Sequence, residues 1–252
     1  MLFMKFKTSA VEGKPRCARV IFTDHPEHCR GHYLIKITDP SIPDEDVLIA
    51  AELFAIQKAF TCAPGLANRP KSGRSLQLQV SFGSILKLKT ADSEKRHLVD
   101  YAHAIATKYA QADVTVNNAH QPWMSLPLPK AELFTVDAPT PDYVFCTALR
   151  AGVKVTRHAL ERLSERAENY KNSKDLYLTA ISSLGMQGKK LECITPCEHA
   201  VKKARAKYRV TPVFVYDHIN AVYLILTKKH NRYDLVTAIA NSEYSDYSIL
   251  GR

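Results

Sequence analysis

Glycine is scarce in this chain, nine residues of 252. None of the nine builds a Walker-type or dinucleotide-binding loop, whose backbone amides cradle phosphate, so those two nucleotide chemistries are not expected. Long apolar runs are missing too. No stretch reaches the roughly 18 to 20 apolar residues that a membrane span requires, which argues against a membrane protein. Internal repeats and low-complexity tracts are also lacking, leaving a globular chain long enough for two cores. The opening Met1-Leu2-Phe3-Met4-Lys5-Phe6-Lys7 alternates in character and has no small-residue cleavage site. It reads as a first strand and not a signal peptide, and a cytoplasmic location is expected. The six cysteines, Cys17, Cys29, Cys62, Cys146, Cys193 and Cys197, are scattered, so reduced thiols are expected. Cys193 and Cys197 with His199 give a C-x3-C-x-H spacing that lacks a fourth ligand and matches no zinc pattern; no metal or cofactor is expected there.

What the chain does have is basic charge, a formal net +10 from 35 Lys and Arg against 25 Asp and Glu. A basic surface attracts phosphate polyanions through charge and counterion release. The excess is uneven. Residues 1–142 carry 17 basic and 15 acidic side chains and residues 143–252 carry 18 and 10, so the positive field belongs to the second part. Between 121 and 142 periodicity is lost and five prolines accumulate, Pro122, Pro127, Pro129, Pro139 and Pro141, which disfavour helix and central strand alike. The expected organisation is a domain over residues 1–120, a proline-rich linker over 121–142 and a basic domain over 143–252, of α+β or α/β class.

Before the linker, short alternating or β-branched runs predict strands at 2–7, 19–23 and 33–37. Ile49, Leu53, Ile56 and Phe60 recur at helical spacing and predict a helix over 44–60. A strand follows at 76–82, then a helix over 93–110 with Leu98, Tyr101, Ile105 and Tyr109 on one face, and a last strand at 114–116. This βββαβαβ order, with the local text Phe6-Lys7-Thr8-Ser9-Ala10 and Ala51-Glu52-Leu53-Phe54-Ala55-Ile56, resembles the ribonuclease H fold over residues 1–118. The resemblance implies carboxylates in the first strand, the first helix and the end of the fourth strand, together holding two divalent metals. Glu52 matches the second of these. The first position falls near Thr8 and the third in Ser81-Phe82-Gly83-Ser84, so two carboxylates are lacking, and one glutamate cannot hold two ions. A catalytically silent module is expected. Asp24 under another register, or a basic face of Lys87, Lys89, Lys95, Arg96 and His97, are the alternatives for this region.

The segment 155–167 is the most informative. Val155, Ala159, Leu163 and Ala167 repeat every four residues as a buried stripe, and His158, Arg162 and Arg166 repeat on the neighbouring one. Thr156 is a plausible N-cap, which puts His158 in the first turn, where the helix dipole favours the neutral imidazole that a general base requires. Two arginine forks nearby suit a phosphate and its transition state. The alternative is a solvated face on which Glu161 pairs with Arg157 and Glu165 with Arg162. Ser173 caps a second helix over 174–184, with Gly185 and Gly188 as stop signals. A short strand is expected at 190–194. The stretch 198–209, helix or loop, carries Lys202, Lys203, Arg205, Lys207 and Arg209 around Tyr208, a set suited to a stacked base beside phosphates. An antiparallel meander at 212–216, 222–228 and 233–239 completes the domain. Tyr216, Lys228 and Thr237 on its exposed face look toward the first helix.

The H-A-x-x-R-x-x-x-R helix opening followed by a meander ending Tyr233-Asp234-Leu235-Val236-Thr237-Ala238-Ile239 resembles the toxin-type ribonucleases of the barnase, EndoU, colicin and RelE fold, over residues 153–242. That resemblance implies metal-independent RNA cleavage through attack of the 2′-hydroxyl. It makes His158 the candidate base or acid and Arg162 and Arg166 phosphate binders, with Lys228, Tyr216 and Thr237 as further catalytic candidates and Arg157 and the 198–209 cations as nucleic-acid contacts. The expected partner is RNA, with DNA, or a protein partner or inhibitor, as alternatives. A non-enzymatic nucleic-acid binder of phage or mobile-element type and a protein-interaction module are the competing functions.

Overall fold

Nine residues of alternating exposure, Leu2–Ala10, form β1, which turns Met4, Phe6 and Thr8 inward. In the computed structural model, which describes residues 1–67, 69, 71–90, 92–185, 190–196 and 198–241, this strand lies inside the first of two units, Met1–Pro141 and Asp142–Arg252. Each unit combines helices with one six-stranded mixed sheet, so the chain is a two-domain α+β protein.

In the first unit β2 (Cys17–Thr23) and β3 (Gly31–Ile37) extend β1 as an antiparallel meander. Phe22 stacks on Phe6 and meets Tyr33 edge-on, with ring centroids 5.4 Å and 4.9 Å apart. Gly31 stands opposite Phe22, and a Cβ there would fall inside the Phe22 ring. The apolar run Val47–Cys62 forms α1, buried against these strands, after a 3-10 turn at Asp44–Asp46. β4 (Leu76–Val80) and β5 (Asp113–Val116) add in parallel beside β1, and β6 (Glu132–Val136) adds in parallel beside β3, giving the order β5-β4-β1-β2-β3-β6.

One element is added and two expectations change. Residues 83–90 form a helix, α2 (Gly83–Thr90), with Ile85 and Leu88 inward. The helix expected over 93–110 is interrupted into a 3-10 turn, Arg96–Leu98, and the short α3, His103–Ala106. Lys95 and His97 both reach the buried Asp46, at 2.6 Å and 2.7 Å. Residues two apart point away from each other on an α-helix, so this shared carboxylate requires the break. Leu98, Tyr101, Ile105 and Tyr109 are nevertheless all buried. Residues 121–141 belong to the first unit: the 3-10 turn Pro122–Ser125 buries Trp123 against Ile21 and Cys29, and β6 follows.

The second unit opens with two strands absent from the sequence reading, β7 (Val144–Cys146) and β8 (Ala151–Val155). Then come α4 (Arg157–Arg166), α5 (Glu168–Lys171), α6 (Leu176–Gly185), β9 (Leu191–Ile194) and α7 (Glu198–Tyr208), which settles 198–208 as helix. Gly188 lies outside the described residues. The meander β10 (Pro212–Asp217), β11 (Val222–Lys229) and β12 (Arg232–Ala240) lies inside the sheet, in the order β7-β8-β12-β11-β10-β9. Both faces are covered. Val215, Leu224, Leu226, Leu235 and Ala238 pack with α4 and α6, while Phe214 and Ile225 pack with Ala200 and Ala204 of α7 on the other side. No helix among the described residues is long and apolar enough to cross a membrane.

Candidate functional site

Thr156 caps α4: its hydroxyl accepts from the Ala159 N–H at 3.2 Å and donates to the Leu235 carbonyl at 2.8 Å, tying the start of the helix to β12. Val155 belongs to β8, so only Ala159 and Leu163 of the expected stripe are helical, with Ala167 at the C-cap; all four are buried. His158 sits exposed in the first turn, its Nδ1 3.8 Å from Glu161. Arg157 donates to Glu161 at 2.8 Å and Arg162 to Glu165 at 2.6 Å. Arg166 donates to the Ala238 carbonyl of β12.

Arg162 and Arg166 border a cavity of about 190 Å³ between α7 and the sheet. Its floor is Phe214, Ile225 and Ile239, with the Thr237 side chain, 6% exposed, among them. Lys203, Lys207 and Tyr208 approach from α7. Four cationic side chains from two helices therefore face one apolar-floored hollow. The Tyr208 phenol oxygen is buried with no hydrogen-bond partner among the described residues. Burying such a group unpaired costs about 1 to 3 kcal/mol, and a ligand oxygen in the cavity would remove that cost.

Other expected residues lie elsewhere. His158 is one turn before Arg162 on α4 and is not among the residues lining the cavity. Lys202, Arg205 and Arg209 are exposed on or just after α7, outside the lining, and Lys202 pairs with Glu198 at 2.8 Å. Tyr216 lies on the cavity face of β10 but beyond the cavity, its ring 4.6 Å from Tyr223 and 4.7 Å from His218. Lys228 alternates with Leu226 and stands opposite Tyr233, which places it on the α4 and α6 face of the sheet, away from Thr237. The sequence reading missed the floor. Its signal is the unbroken run Pro212-Val213-Phe214-Val215, which marks a strand covered on both faces where an alternating one would have an open face.

Comparison of the chain with models of protein families, with curated proteins and with solved structures finds no match. The site therefore rests on its own geometry.

In the first unit, Thr8, Glu52 and Ser81 come together. Ser81 N–H donates to Glu52 Oε1 at 2.7 Å, and Thr8 N–H donates to Ser81 Oγ at 3.0 Å. Glu52 is fully buried; burial pushes its carboxyl up to about 7, against the opposing hydrogen bonds from Ser81. Among the described residues, Glu52 Oε2 and Thr8 Oγ1 are buried with no hydrogen-bond partner. One such carboxyl beside two hydroxyls does not fit a pair of divalent ions, which need several hard anionic oxygens. Among the described residues no cluster of three His, Cys, Asp or Glu could hold a metal. Cys193 is exposed, while Cys197 and the His199 side chain lie outside what is described. Asp24 pairs with Arg30 at 2.9 Å, Lys89 donates to the Ala112 carbonyl, and Lys95 and His97 hold Asp46. The basic face considered for this unit is thus reduced to Lys87 and Arg96.

Proposed function

We propose that the second unit is a metal-independent endoribonuclease whose cavity between α7 and the sheet, bordered by Arg162 and Arg166 of α4, holds a phosphate of RNA. The observation that carries this reading is the convergence of Arg162, Arg166, Lys203 and Lys207 on a hollow that also contains the orphaned Tyr208 hydroxyl. Guanidinium forks match phosphate oxygens in pairs, and cations gathered at one hollow stabilise the extra negative charge of a transition state. In the reaction the 2′-oxygen bonds to the adjacent phosphorus as the P–O5′ bond breaks. The 2′-hydroxyl proton leaves to a base and the departing 5′-oxygen gains one, giving a 2′,3′-cyclic phosphate and a 5′-hydroxyl. His158 takes one of these two proton roles from its exposed place one turn before Arg162.

The H-A-x-x-R-x-x-x-R helix and the meander support a kinship with the toxin-type ribonucleases. For the first unit, the convergence of Thr8, Glu52 and Ser81 supports a ribonuclease H-like module that has lost its metal ligands and now binds RNA or regulates cleavage. An RNA substrate and reduced thiols suit a cytoplasmic protein.

A second reading is a nucleic-acid binder without activity, favoured by the position of His158 outside the cavity lining. Incubating the wild type, His158→Ala and Arg162→Ala with labelled RNA in EDTA separates the two. Cleavage that falls by about 100-fold or more in His158→Ala and is lost in Arg162→Ala is the expected result. Undiminished cleavage in both variants overturns the site, and uncut RNA that still shifts on a native gel establishes the binder.

A further inference from the structure

Two residues along β10 and β11 from the cavity floor, on the same face of the sheet, Tyr216 and Tyr223 stand opposite each other in register. Their ring centroids are 4.6 Å apart, and the exposed His218 ring meets Tyr216 edge-on at 4.7 Å. Ile239, paired with Tyr223 across β11 and β12, lines the cavity, so the aromatic group and the cavity share a border. Two strand residues span roughly 6.8 Å, within reach of a base whose own or neighbouring phosphate sits among the cations.

We propose, building on the reading of the cavity as an RNA phosphate site, that Tyr216, Tyr223 and His218 form a platform for an unpaired nucleobase, which makes single-stranded RNA the substrate class. The division of charge supports this assignment. The cavity side carries Arg162, Arg166, Lys203 and Lys207, whereas the platform's polar neighbours are Asn241, which accepts from the Tyr223 hydroxyl at 3.2 Å, and the anionic Glu192, whose carboxylate lies 3.0 Å from His218 Nε2. A phosphate over Glu192 is repelled, but a neutral base is not, so backbone and base are sorted to different parts of one face. Stacking on aromatic rings is available to a base only once it has left a duplex stack, and it tolerates any base because each has a π face. Both tyrosines are half-buried; Tyr223 packs against the cluster of Phe214, Ile225, Ala200 and Ala204, and Tyr216 rests on Tyr223, which limits the side-chain freedom left to be lost on stacking.

The test uses the full chain and 2′-O-methyl oligonucleotides, which lack the attacking hydroxyl, in fluorescence anisotropy. A labelled single strand is compared with the duplex of the same sequence, and inorganic polyphosphate serves as a base-free competitor. The wild type is expected to prefer the single strand. Tyr216→Ala and His218→Ala each weaken that binding by about fivefold or more, Tyr216→Phe retains it, and polyphosphate competes equally against all. His218 is exposed, so His218→Ala carries the test if Tyr216→Ala fails to fold. Equal binding of strand and duplex by the wild type overturns the platform. So does undiminished single-strand binding by both alanine variants while Arg162→Ala has lost it, and that result leaves the phosphate cavity standing. A wild type that binds neither nucleic acid overturns the platform together with the cavity reading.

Discussion

At the scale of single residues, the first unit treats two buried carboxyl groups differently. Asp46 is buried, which by itself would raise its carboxyl, yet hydrogen bonds from Lys95 and His97 hold it below the ordinary carboxylate range. Glu52 has one strong donor, the Ser81 N–H, and burial wins. The sign of the consequence follows from linkage. An unfolded Glu52 ionises near 4.5 and the folded one near 7, so between those values the native state holds the extra proton and the first unit loses stability as pH rises. The loss saturates above pH 7 at on the order of 3 kcal/mol. Glu52→Gln keeps an oxygen for Ser81 N–H and has nothing to ionise, so thermal melts from pH 4.5 to 8 should fall for the wild type and stay nearly level for the variant. Equal slopes would sink this account. Glu52 itself was singled out by its place in the sequence, but its donor was not legible there, because Ser81 reaches it through tertiary pairing from 29 positions away.

At the scale of elements, local signals served well where side chains act on their own backbone. The Thr156 cap is such a case, and α4 begins where it predicts. α1 and the three meander strands likewise fall within a few residues of their expected places because their apolar periodicity is strong. The failures share a cause: a distant partner decided the conformation. Asp46 breaks the 93–110 helix from about fifty positions away, and β8 is a strand because β12 offers it a parallel edge, Lys154 opposite Asp234, although Ala151-Gly152 at its start speaks weakly for a strand. The candidate site divides in the same way. Arg162, Arg166, Lys203, Lys207, Tyr208 and Thr237 were legible as candidates, while their convergence depends on α7 crossing the face opposite α4. Removing the cap tests how far α4 depends on it. Thr156→Ala deletes both the Ala159 and Leu235 hydrogen bonds and should cost about 1 to 2 kcal/mol in urea unfolding of the second unit, with Thr156→Ser retaining most of it. An unchanged midpoint would show that β12 packing alone positions the helix.

At the scale of the whole molecule, each unit has its own apolar clusters among the described residues. A fragment of residues 142–252 should therefore fold alone, with a cooperative thermal transition, and keep the RNA affinity of the full chain to within about threefold. A fragment without cooperative unfolding would contradict the division. Its binding should fall steeply with salt, as expected for four clustered cations meeting phosphate. The pairing of β8 with β12 has a consequence for how the protein is made. Strands from the opening and the last described stretch of the second unit are sheet neighbours, and β12 supplies Thr237 and Ile239 to the cavity. A nascent chain still short of residue 240 has the cations, the tyrosines, Phe214 and Ile225 but not the β12 part of the floor that closes the hollow. Translation must run almost through the whole unit before the hollow exists, so any activity housed in it is withheld until synthesis has passed that point.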